Sequence, residues 1–241
     1  MLQVPLRTGL GSPPLIRLLT RLADLEVTES RQSLPDRLGQ WLGWTDAVAL
    51  SSALNAKAPA PLPVPDDSDD ARECERVRAA LVKAISDEGP AVKAGRNAPP
   101  IRLPRGVKLA PVDDYADYRH RYLFLQRAMD TALGNLRSRL RVALAARSSD
   151  KGKLAVLDTV MERVLGAREA SLLAVVPTLL ERRFKHLRQA EQAAPAAGQP
   201  ESLTPDAWQA TFRREMRDVL LAELDLRFLP IEGLLAALQD R

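Results

Sequence analysis

Apolar positions recur at three- and four-residue spacing along most of this chain, and that period predicts helices. The longest row is Tyr115, Tyr118, Tyr122, Leu125, Met129, Leu133, Leu136, Leu140 and Leu144. It predicts one helix, about 50 Å long, carrying a coiled-coil-like seam of about eight turns. A second row follows the break Arg147-Ser148-Ser149-Asp150: Leu154, Leu157, Met161, Val164, Leu165, Leu172, Val175, Leu179 and Phe184. Together the rows predict a long antiparallel helical hairpin over residues 113–188, apolar side against apolar side. Arg168 interrupts the second row. Pro177 should kink or break that helix, because proline lacks the N–H of the helical ladder.

Shorter rows lie on either side. Ser12-Pro13 predicts a helix start, with Leu15, Leu18, Leu19, Leu22 and Leu25 as its buried stripe. Helices over 30–41 and 46–54 follow, the first ended by Gly43 and the second capped by Thr45. These make residues 1–55 an expected N-terminal three-helix unit, with Trp41 and Trp44 as its largest core pieces. Residues 56–70 read as a linker: Pro59, Pro61, Pro63 and Pro65 favour an extended path, and Asp66, Asp67, Asp69 and Asp70 follow. Carboxylates stabilise a helix N-terminus, so the acidic group reads as the start of a helix over 71–87. Residues 89–112 carry prolines, glycines and the basic residues Lys93, Arg96, Arg102, Arg105 and Lys108, and have no helical period. A second linker, 193–204, ends at Thr204, the expected cap of a helix that Pro205 begins. Trp208, Phe212, Met216, Val219, Leu220 and Leu224 form its apolar face. Pro230 should end or bend it, leaving a last short helix over 231–239. The expected fold is therefore all-α: a helical bundle over 71–241, built around the hairpin, with C-terminal helices over 205–239.

Charge tests the pairing. A fold-back near Ser149 sets Arg137 and Arg139 opposite Glu162 and Asp158. It also sets Asp113, Asp114 and Asp117 near Arg182, Arg183 and Lys185. Opposite charges at flanking positions suit an antiparallel pair. The same arithmetic separates the basic clusters 137–141 and 182–188 and puts acids beside each, whereas a phosphate-binding surface needs uncompensated charge.

Composition agrees with helices and narrows the function. Aromatic residues make up only 4% and the net charge is +4, so the core is mainly Leu, Ala and Val, and the chain is not built around a polyanion. Cys74, the single cysteine, excludes an internal disulfide, and flanking Glu73 and Glu75 disfavour its thiolate. No signal-peptide pattern and no apolar run of membrane-spanning length is present, so the expected location is cytoplasmic. His120 and His186 are the only histidines, and the hairpin register holds them well apart. The sequence has no nucleophile elbow, no phosphate loop and no dinucleotide-binding turn. The three tyrosines read as the wide end of the seam, and Trp41 and Trp44 as core. No catalytic, cofactor-binding or metal-ligating residue is assigned.

Several segments are similar to a bacterial family, domain of unknown function 3348. They are Arg7-Thr8-Gly9, the run from Ser12 to Leu19, Glu29 to Ser33, Arg37 to Ala47, and Ser171 to Ala174 with Leu179 to Phe184. The resemblance spans nearly the whole chain and implies no activity. It implies a genetic setting beside a membrane proton-channel-type protein and a peptidoglycan-binding outer-membrane-type protein, hence a cytoplasmic partner of a membrane complex. The expected function is that of a non-enzymatic helical interaction or scaffolding protein, with a protein partner or a second copy of the chain. The alternative is a nucleic-acid-associated protein using the basic stretch 93–108, whose binding would fall steeply with salt.

Overall fold

The computed structural model describes residues 13–23, 34–55, 69–87, 114–193 and 207–240. Its elements are α1 (Pro14–Ala23), α2 (Leu34–Trp41), α3 (Trp44–Asn55), α4 (Asp70–Ser86), α5 (Tyr115–Arg147), α6 (Ser149–Leu173), α7 (Val176–Ala193) and α8 (Ala207–Gln239). The fold class is all-α, with no strand among the described residues. Leu25, most of both proline-containing linkers, the basic stretch 93–108 and the cap expected at Thr204 lie outside the described residues.

The apolar row of α5 is its buried side without exception: all nine positions from Tyr115 to Leu144 are buried. Asp114 caps the helix by accepting from the Ala116 N–H at 3.1 Å. The row packs mainly on α8, whose Phe212, Met216, Val219, Leu220 and Leu224 are buried. Gln126 meets Glu223, and Asp130 meets Arg227. Numbers rise together along the two helices, so α5 and α8 run parallel. Helix α4 lies against both and runs the other way, since Asp70 pairs with Arg139 and the Asp87 carbonyl accepts from Arg121. Arg78 ties α4 to Asp225 and Glu232 of α8 and stacks over Phe228 at 5.2 Å. The acidic group before α4 is a helix start: Asp69 accepts from the Arg72 N–H at 3.4 Å, and Asp70 is buried against Arg139.

One residue, Ser148, separates α5 from α6, and its hydroxyl accepts from the Lys151 N–H to cap α6. Ser149 and Asp150, expected in the break, are already helical. The second helix does not continue to 188. It stops at Leu173, and the chain restarts as α7 at Val176, with Thr178 and Leu179 donating to the Val175 carbonyl. Pro177 thus sits in the first turn of α7, where a missing N–H costs nothing. Its carbonyl accepts from the buried Tyr115 hydroxyl.

Three further expectations change. Pro230 lies inside α8, which runs unbroken to Gln239. Buried Phe228, Ile231 and Leu234 on either side hold the helix together, so packing outweighs a local cost of about 3 kcal/mol. Helix α3 starts at Trp44, with Gly43 at the cap; Asp46 reaches back to accept the Gly43 N–H at 3.2 Å, as in a capping box. Trp44 is 83% exposed and is not core. Helix α1 sends Leu15 and Leu22 into the main core against α7 and α8, while α3 packs on α6.

Gly134 lies inside α5 with no atom within 4 Å of where a Cβ would stand. Gly134→Ala should stabilise the protein by about 0.5–1 kcal/mol through helix propensity alone, read as a raised urea midpoint with unchanged slope.

Candidate interaction surfaces and the buried polar network

The described residues hold one carboxylate at 0% exposure, Glu223. It stands on the core side of α8, in phase with Phe212, Met216, Val219 and Leu220. Four side-chain contacts reach it. Tyr122 donates to Oε2, Gln126 Nε2 reaches Oε1 and Oε2 at 2.9 and 3.2 Å, and Arg227 Nε donates to Oε1 at 2.9 Å. Arg227 extends outward to Asp130, and lies 3.7 Å from Glu169. Three helices, α5, α6 and α8, thereby meet on one cation. Burial pushes the Arg227 guanidinium down, but Glu223, Asp130 and Glu169 outweigh it and the net shift is up. Burial, then the Glu223 charge and hydrogen bond, push the Tyr122 phenol far above its usual range. The Tyr122 hydroxyl therefore keeps its proton and donates a hydrogen bond to Glu223 at ordinary pH.

This cluster has the residue types of a catalytic site but not the disposition. Among the described residues, no buried side-chain nitrogen or oxygen lacks a partner. Donors converge on one acceptor-only carboxylate, and each is used in holding α5 to α8. Sequence reading passed over Glu223 because it sits within a broad apolar face. The available signal was its phase: a charged residue four positions after Val219 and four before Arg227, on the side that carries the core.

The second polar cluster joins α5 to α6. Arg137 grips Asp158 with two bonds, at 2.8 and 2.6 Å, and lies 3.5 Å from Glu162. Arg141 binds Asp158 at 2.7 Å and Glu162 at 2.6 Å. Arg139, expected in this group, instead pairs with Asp70 of α4. Residues 137 and 141 share a helix face, while 139 is rotated about 200° from it. The expected contacts of the acids near Asp114 with 182–185 are likewise replaced. Arg183 binds Glu215, and Lys185 binds Glu181, because the break before α7 changes the register. What meets the start of α5 is aromatic: Tyr115 and Tyr118 each stack on Phe184 and Phe212. Burial, then the charge of Glu181, raises the Tyr115 phenol to about 12.

The ion pairs turn α6 away from its expected orientation. Gly152, Ala155, Asp158 and Glu162 face α5; a Cβ on Gly152 would stand 3.8 Å from the Ala145 Cα. The apolar row points elsewhere. Leu154 is 37% exposed and Leu172 61%, while Leu157, Met161, Val164 and Leu165 are half-buried. Arg168, the interruption in that row, stacks on the Trp41 ring at 4.8 Å. The row therefore lies on the side of α2 and α3.

On α5, the side opposite its core is a row of another kind. Phe124 and Val142 are 68% and 59% exposed, and Thr131, Asn135 and Ser138 stand exposed between them. Spacings of seven, four, three and four put all five on one face, about 27 Å long, which the exposed Arg127 shares, three positions after Phe124.

Isolated acids and bases complete the survey. Cys74 is buried, and burial, then Asp70, raise its thiol. His120 and His186 are exposed on different helices. Among the described residues, no group of three or more His, Cys, Asp or Glu is arranged to hold a metal. No helix there is long and apolar enough to cross a membrane.

These features define an all-helical protein whose buried polar groups are spent on joining helices. The chain matches the family described as Protein of unknown function (DUF3348) over residues 1–240, and it belongs to that family. No curated protein and no solved structure matches it.

Two outcomes test these clusters. Glu223→Ala strands Arg227 and Tyr122 in the interior and should cost about 3–5 kcal/mol, read as a lower urea midpoint. Burial pushes the Asp158 carboxyl up, but the hydrogen bonds and charges of Arg137 and Arg141 outweigh it and hold it below the usual range. A depressed folded value adds stability above the unfolded pKa, about 3.9, which is lost as pH falls through the folded value. Asp158→Asn should therefore cost about 2–3 kcal/mol at pH 7, and its deficit relative to the parent should shrink as pH falls below about 4.

Proposed function

We propose that this protein is a non-enzymatic helical interaction or scaffolding protein acting in the cytoplasm. The observation that carries the reading is the exposure of two large apolar side chains, Phe124 and Val142, on the outward side of α5. A side chain as large and apolar as Phe124 standing in water is a candidate contact point for another protein, as aromatic residues are enriched at interfaces. The row lies on a helix whose opposite side is buried along its full length. A rigid helix face presents its side chains with little entropy left to lose on binding. The polar clusters support the same reading, since each of their groups is engaged in helix–helix contact. The family resemblance adds an expected setting, a membrane complex served from the cytoplasmic side.

The test is co-purification from the native host, with mass-spectrometric identification of bound proteins, comparing the parent with Phe124→Ser/Val142→Ser. Both substitutions are at exposed positions, so the unfolding midpoint should hold within about 0.5 kcal/mol. The parent should recover specific proteins, membrane-complex subunits among them, that the double variant loses. Recovery of nucleic acid alone, released by raised salt, would overturn the reading.

A further inference from the structure

We propose that the outward side of α5 pairs with itself: two copies of the chain join there, with their α5 helices antiparallel and face to face. The inference rests on the reading of Phe124 and Val142 as contact points and names what they meet, a second copy.

The row that carries it is Phe124, Ala128, Thr131, Asn135, Ser138 and Val142. Its spacings are four, three, four, three and four, the alternation of a coiled-coil seam. At about 100° per residue, all six stand within about 40° of one line. Each is exposed or half-buried. The row also reads alike from its two ends. Phe124 and Val142, the outermost pair, are large and apolar. Ala128 and Ser138 are small, and Thr131 and Asn135 are polar and uncharged. The members of each pair lie equally far from position 133. A twofold axis at that level sets Phe124 of each copy beside Val142 of the other, and Thr131 beside Asn135. A surface that joins two identical subunits must be complementary to itself in this way.

The small residues leave room for the Phe124 ring of the second copy. The Thr131 hydroxyl donates to the Arg127 carbonyl at 3.0 Å, so its oxygen is left to accept from the Asn135 amide across the axis. A polar pair within a seam fixes register and orientation.

Charge favours the same arrangement, which sets α6 of one copy across from α6 of the other. Arg127 is exposed between the row and the side of α5 that faces α6. Level with it on the second copy stands the cluster joining α5 to α6. There the side chains of Arg137, Arg141 and Asp158 are 16%, 13% and 13% exposed, whereas that of Glu162 is 38% exposed. The cluster thus offers Arg127 an acid, twice in each dimer. A seam about 27 Å long belongs at the low end of specific interfaces, about 1,200 Å² in total, so the dimer is a reversible one.

Sedimentation velocity of the full chain should show monomer passing to dimer between about 1 and 500 μM. Phe124→Ser/Val142→Ser should raise the dissociation constant at least about 30-fold with an unchanged unfolding midpoint. Arg127→Glu should raise it about tenfold, an effect that shrinks as salt is added. Equal parts of Phe124→Cys and Val142→Cys, oxidised together, should give a disulfide-linked dimer that neither gives alone. In the antiparallel pair, like positions stand about 27 Å apart, and Cys74 is buried. A parent that stays monomeric throughout that range, a dimer that survives Phe124→Ser/Val142→Ser, or a disulfide dimer from Phe124→Cys alone would overturn the proposal. A monomeric parent that still recovers host proteins lost in Phe124→Ser/Val142→Ser would remove self-pairing and leave the interaction reading standing. A parent that dimerises as expected but recovers no other host protein would do the reverse.

Discussion

Everything in this fold depends on burying one side of α5. Tyr122, Met129, Leu140 and Leu144 have no exposure at all, and the five other positions of the row have less than a tenth. Each such side chain contributes on the order of 1.5–3 kcal/mol on burial. A 33-residue helix with so continuous an apolar side needs neighbours along its whole length. Helix α8 supplies them as a parallel companion of the same length, and α4 closes one flank. The other flank is divided between α6 and α7. The aromatic end near Tyr115 takes the larger rings, Phe184, Trp208 and Phe212, which meet edge to face, the arrangement aromatic quadrupoles favour.

Within that apolar frame, polar groups decide how helices are turned about their axes. Hydrophobic burial is non-directional and would tolerate several rotations of α6. The bonds from Arg137 and Arg141 to Asp158 and Glu162 do not. They select the rotation that puts Gly152 and Ala155 against α5 and leaves the larger apolar residues of α6 outside. The buried Glu223 does the same between α5 and α8, because its partners Tyr122 and Gln126 lie one turn apart on α5. Any slip of one helix along the other would leave a buried carboxylate or guanidinium unpaired, at a cost of several kcal/mol. Both clusters therefore specify alignment, as well as contributing attraction.

This division explains what the surface looks like. A helix that spends its small and acidic side on its neighbour has apolar residues to spare, and α6 shows them toward α2 and α3. A helix buried along one side, like α5, is free to vary the other, and there Phe124 and Val142 stand exposed. Among the described residues, the buried polar groups are engaged between helices.

Much of this was legible in the linear chain. The row from Tyr115 to Leu144 predicted its helix and its buried side residue by residue, because a 3.6-residue period leaves one solution for a side that long. The helix start in the acidic group at Asp69 and Asp70 was legible too, whereas Asp114, read as a charge partner of 182–185, caps α5. Three things were not. Pro230 was expected to end or bend α8 because local chemistry opposes proline inside a helix; the helix does not end there, and the buried residues around it outweigh that cost. The rotation of α6 was misread because its apolar row was assumed to face α5, when its partners were set by charge. Glu223 was hidden because two of its donors, Tyr122 and Gln126, lie about a hundred positions earlier, on α5. The sequence alone thus determined the helical class, the inner side of α5 and the acidic start of α4, all of which follow from spacing within one segment. Tertiary structure alone decided which helix faces meet, how the row of α6 is turned, and that Arg168 lies beneath Trp41. Those outcomes come from pairing between distant segments, for which no local period exists.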